Sequence, residues 1–275
     1  MRDRKGERVK ISAVIIAGNE EAKIRGAIDS VSFADEILVV DSESTDKTAT
    51  IAAELGARVV IQPWLGFSKQ KQFGVDAAEH DWILSLDADE RVTPALRSEI
   101  EALRSSSSSD FVAFSIPRLS FYHGRPVNHC GWYPDRQTRF FDRRHAAWNQ
   151  RPIHESVEVQ GPLGLLHGDL QHFSVDSASH HHRMIGERYA PMAAIAAFHS
   201  GARGSLARIA VTPAVTFLRD YLLKGGIADG LVGFIICWFA AHHAFLKNVI
   251  LWELSNGLVL PEDLQSQPTR TKPQS

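Results

Sequence analysis

The sequence predicts an α/β fold in which a doubly wound sheet is followed by a C-terminal helical region. Between Ile11 and Leu103, short runs of β-branched and apolar residues alternate with longer segments of helical period, which is typical of βαβ units. From Ser177 onward the pattern is helical. The chain has 275 residues, 44% of them hydrophobic, which is enough to bury one large domain, or one domain and an appendage.

The elements follow from this alternation in chain order. We expect strands over Ile11–Ile16, Glu36–Val40, Ala57–Ile61 and Trp82–Leu86, with helices over Glu20–Ser30, Thr45–Leu55, Lys69–Ala78 and Thr93–Leu103. A serine run at 105–109 predicts a loop, and Phe111–Ile116 resumes a strand. Residues 119–173 are rich in Gly, Pro, His, Trp and Arg, a composition that suits loops and short strands carrying a site.

Composition and missing motifs exclude several classes of protein. A formal net charge of -2 argues against a surface built as a whole to bind nucleic acid. Neither a glycine-rich fingerprint after the first strand nor a Gly-Lys-Ser/Thr loop is present, which argues against a dinucleotide-binding Rossmann domain and a P-loop NTPase. Cys130 and Cys237 are far apart in sequence and no apolar segment follows the charged start, so we expect a cytosolic protein without a disulfide framework.

Polar, acid-bearing segments follow three of the predicted strands. They are Ala17–Glu20, Asp41–Asp46 and Asp87–Asp89. Ligands of open α/β sheets bind beyond the carboxyl ends of the strands, so we expect the three loops to meet at one edge. Divalent cations prefer carboxylate oxygens, and Asp87-Ala88-Asp89 supplies two. Alone, this short motif fits an ordinary loop or helix cap equally well.

A series of short motifs extends from Ile11 to Trp252. In order they are Asn19-Glu20, Val39–Asp46, Gln70-Lys71, Trp82–Glu90, Gly131–Asp135, Gln137–Phe141, His154-Glu155, His172-Phe173, Phe245–Lys247 and Leu251–Glu253. Each is common, but their order and spacing resemble the inverting family 2 glycosyltransferases, in particular the bacterial branch that adds glucose to the lipopolysaccharide inner core. The resemblance implies a GT-A-type nucleotide-sugar-binding fold with a doubly wound mixed sheet.

The resemblance also implies which residues bind the nucleotide sugar. These are Asn19, Glu20, Asp41, Lys71 and Asp87. Asp41 would accept a hydrogen bond from the uracil imide, Lys71 would contact the diphosphate, and Asp87 would face the ribose. Asp41 could instead cap a helix, a role for which Asp46 is the better candidate, and Lys71 could be a solvated surface lysine.

The metal and the general base are implied in the same way. Asp89 would hold a Mg²⁺ or Mn²⁺ ion that bridges the phosphates, and His172 would complete the metal shell. Glu155 would take the proton of the acceptor hydroxyl, because an inverting transfer needs a single carboxylate base. The alternatives left open are an ordinary core or surface histidine at 172 and an alternating strand residue at 155.

A set of residues in the second half would line the acceptor and sugar pocket. It comprises Trp132, Tyr133, Asp135, Gln137, Arg139 and His154. The run His180–His182 is not expected to bind zinc, since consecutive helix positions point in different directions. Two places depart from the family pattern: Ala17-Gly18 replaces a larger polar pair, and Glu43 replaces a glycine that tolerates positive φ. Glu43 also adds negative charge near a dianionic donor.

The C-terminal segment Leu206–Trp252 is apolar with basic residues around it. A spanning helix needs about 20 apolar residues, and Gly230–Leu246 is shorter and contains His242 and His243, so membrane crossing is disfavoured. We expect an amphipathic region that lies on the cytoplasmic membrane surface, with Phe217, Tyr221, Phe234, Trp238 and Phe245 in the interface. The alternative is packing against the catalytic domain or a second subunit.

These features give the domain organisation and the function expected from the sequence. Residues 9–104 form the nucleotide-sugar half, 110–176 the acceptor and metal half, 177–256 the helical region and 261–275 a disordered tail. The expected activity is metal-dependent, inverting transfer of a hexose, glucose from UDP-glucose, to a lipid-linked acceptor such as the lipopolysaccharide inner core. The alternatives are a same-fold transferase for capsule, exopolysaccharide or a polyprenyl-phosphate-linked glycan, and a non-catalytic sugar-nucleotide- or membrane-binding protein.

Overall fold

The computed structural model describes residues 8–105, 110–149 and 155–259. The chain forms two compact units. The first contains the described residues up to Leu119 together with Pro134–His172, and the second contains Ser120–Tyr133 and the chain from Phe173 onward. The site residue predicted at His154 and the tail predicted at 261–275 lie outside the described residues.

Each strand and helix expected between Ile11 and Leu103 is present, with ends that differ by a few residues. The strands are β1 Ile11–Ala17, β2 Glu36–Asp41, β3 Arg58–Ile61, β4 Trp82–Asp87, β5 Glu90–Val92, β6 Ala113–Tyr122, β7 Arg125–Pro126, β8 Asp135–Asp142, β9 Ala146–Trp148, β10 Val157–Val159, β11 Leu163–Leu165 and β12 Leu170–Val175. The α-helices are α1 Ile24–Ser30, α2 Thr48–Glu54, α3 Phe67–Ala77, α4 Pro94–Ser105, α5 Ala178–Arg183, α6 Ala190–His199, α7 Leu206–Leu218 and α8 Gly230–Ser255.

The main sheet is mixed and buried on both faces. Its strand order is β3-β2-β1-β4-β8-β6-β12-β5, with β1 to β4 parallel and β8 antiparallel to β4. All seven residues of β1 are buried, and alternate ones serve different cores: Ile15 packs in one apolar cluster and Val14 in the other. Near-continuous apolar strands are what a sheet covered on both faces requires. The predicted doubly wound mixed sheet is therefore confirmed.

The strand register brings the acidic loops to one edge. On either side of β1, Asp41 at the end of β2 pairs with Ala17, and Asp87 at the end of β4 pairs with Ile16. Adjacent parallel strands of similar length end together, so their polar extensions emerge side by side. The expected convergence of the three loops is present.

The second unit is mainly helical. A π-helical segment, Met184–Tyr189, joins α5 to α6, and Ile185, Ala194 and Leu251 belong to one apolar cluster of this unit. A second cluster contains Cys130 and Cys237, whose Sγ atoms lie 3.6 Å apart as free thiols despite their distance in sequence.

Helix α8 corrects one expectation about the C-terminal region. The helix has 26 residues and continues well past Leu246, so the apolar stretch is not too short to cross a membrane. Within the described chain, residues Gly226–Ser255 form one helical stretch that is long and apolar enough to span, and a third of its most apolar window is buried inside the protein. Buried helices of soluble proteins have the same length and composition, so this feature alone does not decide between crossing and surface binding.

Candidate active site

The loops that follow β1 and β2 hold each other in place. Asn19 has a left-handed backbone with φ of 58°, and its side-chain Oδ1 accepts the Thr45 N–H at 2.8 Å. The Asn19 N–H donates to Ser44 Oγ at 2.8 Å, and Ser44 in turn donates its N–H and its hydroxyl to the buried carboxylate of Asp41. Asp41 therefore stands at the edge of the sheet with a fixed orientation.

Glu43 has a backbone conformation that suits glycine. Its φ is 56°, in the left-handed region that costs an ordinary L-residue about 1 kcal/mol or more. Glycine is usual at this position in the family pattern, and the reason is that glycine adopts a positive φ without strain. This loop carries strain directly beside Asp41.

The carboxylate of Asp46 bonds to the first residue of α2 from the position before the N-cap residue, Lys47. Its Oδ1 accepts the Thr48 N–H at 2.9 Å, and its Oδ2 accepts the Glu21 N–H at 3.1 Å. Burial favours a higher pKa for Asp46, but the hydrogen bonds from Thr48 and Glu21 outweigh it and lower the pKa. Glu20 joins the same network through its N–H, which donates to Thr48 Oγ1 at 2.8 Å.

Asp87 at the end of β4 is an ion-paired carboxylate. Its Oδ1 lies 3.1 Å from Lys71 Nζ, and its Oδ2 lies 3.0 Å from Arg139 Nη2. Burial alone would raise the pKa of Asp87, but the two cations outweigh that effect and hold the pKa well below its ordinary value. Asp87 is thus ionised and surrounded by positive charge.

Lys71 is buried, which does not fit the alternative of a solvated surface lysine. Only 2% of the residue is exposed, and Nζ lies 4.8 Å from the centre of the Trp148 ring. Burial lowers the pKa of Lys71, and the charge of Asp87 opposes that shift. The ammonium is also 3.8 Å from Glu155 Oε1, so it lies between the carboxylates of Asp87 and Glu155.

Glu90 is a charged residue of the site for which the sequence predicts no role. It is fully buried, and its Oε2 accepts the Asp87 N–H at 3.0 Å. Its Oε1 lies 2.9 Å from Arg139 Nη2 and 3.3 Å from Arg118 Nη1. Glu90 therefore closes the turn that carries Asp89. The only sequence signal was its position directly after Asp89.

Asp89 and His172 face each other across two strands. The Asp89 Oδ2 and His172 Nε2 atoms are 3.5 Å apart, because β12 pairs with β5 in a register that sets His172 opposite Glu90. Burial works to raise the pKa of Asp89, and the His172 ring outweighs it, so the pKa is lowered.

This pair fits a divalent cation. Ligands of a Mg²⁺ or Mn²⁺ ion lie about 3 Å from their neighbours, close to the separation of these oxygen and nitrogen atoms. Among the residues that the structure describes, no group of three or more His, Cys, Asp or Glu side chains is arranged to hold a metal. A two-ligand site is what Mg²⁺ typically uses when substrate phosphates and water complete its shell.

Comparisons with known proteins agree with this geometry. The sequence pattern of "Glycosyl transferase family 2" matches residues 12–159, which include β1 to β4, the acidic edge and Glu155. The chain belongs to glycosyl transferase family 2. An uncharacterized glycosyltransferase of Rickettsia bellii is 33% identical over 94% of this chain and 92% of its own length. The expected enzyme class, a glycosyltransferase, is confirmed.

Two further similarities were found for this family 2 glycosyltransferase. The lipopolysaccharide core biosynthesis glycosyltransferase LpsC of Rhizobium meliloti is 31% identical over 90% of this chain and 93% of its own. A crystal structure of glucosyl-3-phosphoglycerate synthase from Mycobacterium tuberculosis, with Mn²⁺, UDP and glucosyl-3-phosphoglycerate, is 30% identical and covers 42% of this chain and 45% of its own. Its TM-score of 0.34 is too low to support an inference about the site.

The residues predicted for the acceptor pocket of this glycosyltransferase occupy different environments. Asp135 and Gln137 lie on β8, where Arg118 Nε and Gln137 Nε2 donate to the Asp135 carboxylate at 2.9 and 2.7 Å. Arg139 is 2% exposed, so its side chain belongs to the ion network around Asp87 and Glu90 instead of an open pocket wall. Trp132 and Tyr133 belong to the second unit, where the Trp132 ring packs on His181.

Besides Glu90, two residues of the site, Arg118 and Trp148, were not predicted from the sequence. Arg118 joins Glu90 to Asp135, and Trp148 presents its ring to both Lys71 and Arg139 at 4.8 and 5.5 Å. An arginine in the middle of an apolar strand is a signal that could have identified Arg118. Trp148 follows a basic, irregular segment, and nothing in its local sequence distinguishes it from an ordinary core residue.

Proposed function

We propose that this protein transfers a hexose, glucose from UDP-glucose, with inversion to a lipid-linked acceptor at the cytoplasmic face of the membrane. The lipopolysaccharide inner core is the proposed acceptor, which the similarity to LpsC supports. The observation that carries the proposal is the pairing of Asp89 with His172 beside the ion group in which the buried Lys71 contacts Asp87 and Glu155. A metal ligand pair and a carboxylate base are the two components that such a transfer needs.

On the donor side, Asp89 and His172 would hold the Mg²⁺ or Mn²⁺ ion, whose charge stabilises the departing diphosphate. Lys71 adds a fixed positive charge that is already desolvated, because its side chain is buried against Trp148. Asp41 lies ready to accept an N–H from a planar base, since a carboxylate oxygen bonded to Ser44 keeps a free lone pair. Asp87 would face the ribose.

On the acceptor side, Glu155 takes the proton of the hydroxyl as that oxygen attacks the anomeric carbon. The bond from the anomeric carbon to the diphosphate oxygen breaks on the opposite face, which inverts the centre. The Lys71 ammonium, 3.8 Å from Glu155 Oε1, orients the carboxylate. Trp132, Tyr133, Asp135, Gln137 and His154 remain proposed contacts for the acceptor sugar.

The experiment is an assay of transfer and hydrolysis with a panel of nucleotide sugars, with and without Mn²⁺, on the wild type and Asp89→Ala. We expect UDP-glucose to be the preferred donor and activity to require Mn²⁺ and Asp89. The matched control is Asp29→Ala, which removes an exposed aspartate on α1. Metal-independent activity that survives Asp89→Ala would overturn the metal mechanism, and preference for another donor would overturn the choice of UDP-glucose.

The acceptor needs a separate assay with the same enzyme. A lipopolysaccharide core truncated before its first glucose is compared with a polyprenyl phosphate and with capsule and exopolysaccharide precursors. Transfer to the core alone supports the proposed acceptor. Transfer to one of the others would assign the enzyme to the corresponding alternative without changing the roles of Asp89 and Glu155.

A further inference from the structure

Exposed apolar side chains lie at the connection between α7 and α8 and on the first residues of α8, residues 219–231, which we name the hairpin tip. Leu223 and Leu231 are 84% and 72% exposed, and Leu222 and Ile227 are each more than half exposed. Four large apolar side chains within thirteen residues are unusual on a free surface and mark a surface that binds something apolar.

The exposure is not the result of a loosely packed loop. Gly225 has a left-handed φ of 69°, and a Cβ added at Gly226 would lie 2.7 Å from Cys237 Sγ and 3.0 Å from Cys130 Sγ. The Cys130 N–H donates to the Lys224 carbonyl at 3.0 Å. The His129 N–H also donates to Asp229 Oδ2 at 2.9 Å. These contacts to Cys130 and His129 fix the backbone of the tip. Its leucine and isoleucine side chains are therefore exposed on an ordered backbone.

At the tip the basic side chains are exposed and the acidic side chains are buried. Arg219 and Lys224 are about half exposed, whereas Asp220, which accepts from both at 2.7 and 2.9 Å, is buried. The other carboxylate, Asp229, has a side chain that is 6% exposed and is bonded to His129. Cations therefore meet solvent beside the apolar side chains, while the anions lie underneath.

Basic residues outnumber acidic ones along the hairpin that α7 and α8 form. Between residue 203 and the end of α8 at Ser255 the sequence has five basic residues, Arg203, Arg208, Arg219, Lys224 and Lys247, and three acidic ones, Asp220, Asp229 and Glu253. An apolar surface rimmed by Lys and Arg is complementary to a bilayer with anionic headgroups. A neutral protein partner would not need this bias.

The aromatic residues behind the tip have a structural role. Phe217 stacks on Tyr221 at 5.3 Å and meets Phe234 edge-on at 5.6 Å, and both Phe217 and Tyr221 pack on the cluster around Cys130. These two partly buried rings therefore join α7 to α8, whereas Phe234, Trp238 and Phe245, which are expected in the interface with them, are 43%, 62% and 44% exposed. Exposed apolar side chains also lie along the two helices, such as Val211 and Trp238, but the most exposed one, Leu223 at 84%, lies at the tip.

We propose that the hairpin tip enters the interface of an anionic phospholipid bilayer, with Leu222, Leu223, Ile227 and Leu231 among the acyl chains and Arg219 and Lys224 at the headgroups. The proposal rests on the membrane location proposed above and names the element that makes the contact. It replaces a helix pair lying flat on the surface with end-on insertion.

The test is co-sedimentation of the full chain with vesicles of phosphatidylglycerol and phosphatidylcholine, and with vesicles of phosphatidylcholine alone. We expect binding to the anionic vesicles that weakens with salt, and a loss of about tenfold or more in the Leu223→Asp variant. Leu165→Asp is the matched control, because Leu165 on β11 is exposed to a similar extent as the tip leucines.

Leu206→Asp separates end-on insertion from a flat orientation. Leu206 is 74% exposed and lies about 25 Å of helix away from Leu223. Near-normal binding of Leu206→Asp supports the tip, whereas equal losses in both variants would overturn end-on insertion in favour of a flat helix pair. Thermal melting of each variant checks that it folds.

Other outcomes also decide the question. Wild-type protein that ignores both kinds of vesicle would overturn the membrane location, and a dimer that Leu223→Asp converts to a monomer, with vesicle binding unchanged, would assign the tip to a second copy of the chain. Hydrolysis of UDP-glucose in solution is measured on the same variants. We expect Leu223→Asp to leave it unchanged, so a failure of the donor assignment and a failure of the tip are distinguishable.

Discussion

Replacing Glu90 by glutamine removes one charge from the middle of the ion network while keeping the shape of the side chain. Glu90 accepts the Asp87 N–H and pairs with the guanidinium groups of Arg139 and Arg118. Glutamine has one acceptor oxygen, so it cannot serve all three donors, and its NH₂ group faces donors it cannot bond. Two arginines, one of them fully buried, then lose a counter-charge.

The magnitude follows from burial. Removing one partner of a buried ion pair costs about 3–5 kcal/mol, and Arg118, whose side chain is 20% exposed and keeps Asp135, contributes the smaller share. Since Arg139 also keeps Asp87, we expect the lower end, about 3 kcal/mol, or a midpoint of thermal unfolding lower by about 5–10 °C. The turn that carries Asp87 and Asp89 loosens at the same time, so both kcat and the affinity for UDP with Mn²⁺ should fall.

The assay is urea unfolding together with steady-state kinetics on Glu90→Gln. The control is Glu54→Gln, which alters an exposed glutamate on α2 and should change stability by less than about 0.5 kcal/mol. A Glu90→Gln enzyme as stable and as active as the wild type would refute the idea that Glu90 holds the turn in place.

Two further predictions concern stability. Glu43→Gly should raise the free energy of unfolding by about 0.5–1 kcal/mol in urea titrations, because glycine adopts the φ of 56° without strain and loses part of that gain as unfolded-chain entropy; a destabilised variant would contradict this. Burial, with smaller effects from His180 and His242, lowers the pKa of His181 to about 4, so the unfolded chain binds its proton first as the pH falls. The neutral His181 side chain therefore contributes up to about 3 kcal/mol to the free energy of unfolding. This contribution is complete above about pH 6.5 and is lost as the pH falls to about 4. His181→Phe should flatten that part of the pH–stability curve, and an unchanged slope would assign it to other groups.

Sequence patterns were sufficient for the parts of the fold that depend on local periodicity. The apolar run Ile83–Leu86 could only be a buried strand, and two further runs of the same kind place Asp41 and Asp87 at a common edge, which the register with Ala17 and Ile16 confirms. The start of α1 came later than expected, at Ile24, because the backbone of Asn19, Glu20 and Glu21 bonds to the neighbouring loop instead of beginning a helix.

The rest depends on contacts between distant parts of the chain. Glu90 meets Arg118 and Arg139 only because β6 and β8 are neighbours in the sheet, and no local rule gives that pairing. The sequence expectation for α8 rests on the apolar stretch Gly230–Leu246 with His242 and His243, whereas the helix continues to Ser255. In the helix, Asn248 is buried with its amide bonded to the Ala244 carbonyl, so it does not end the helix.

The most direct test of the proposed mechanism is the turnover of Glu155→Gln compared with its affinity for UDP and Mn²⁺. Glu155 lies beside Lys71, and the control Glu158→Gln alters an exposed glutamate three positions further on, in β10. If Glu155 takes the acceptor proton, kcat for transfer should fall by about 10²–10⁴-fold while UDP–Mn²⁺ binding measured by calorimetry stays as in the wild type. Transfer at the wild-type rate in Glu155→Gln would contradict the assignment of the base.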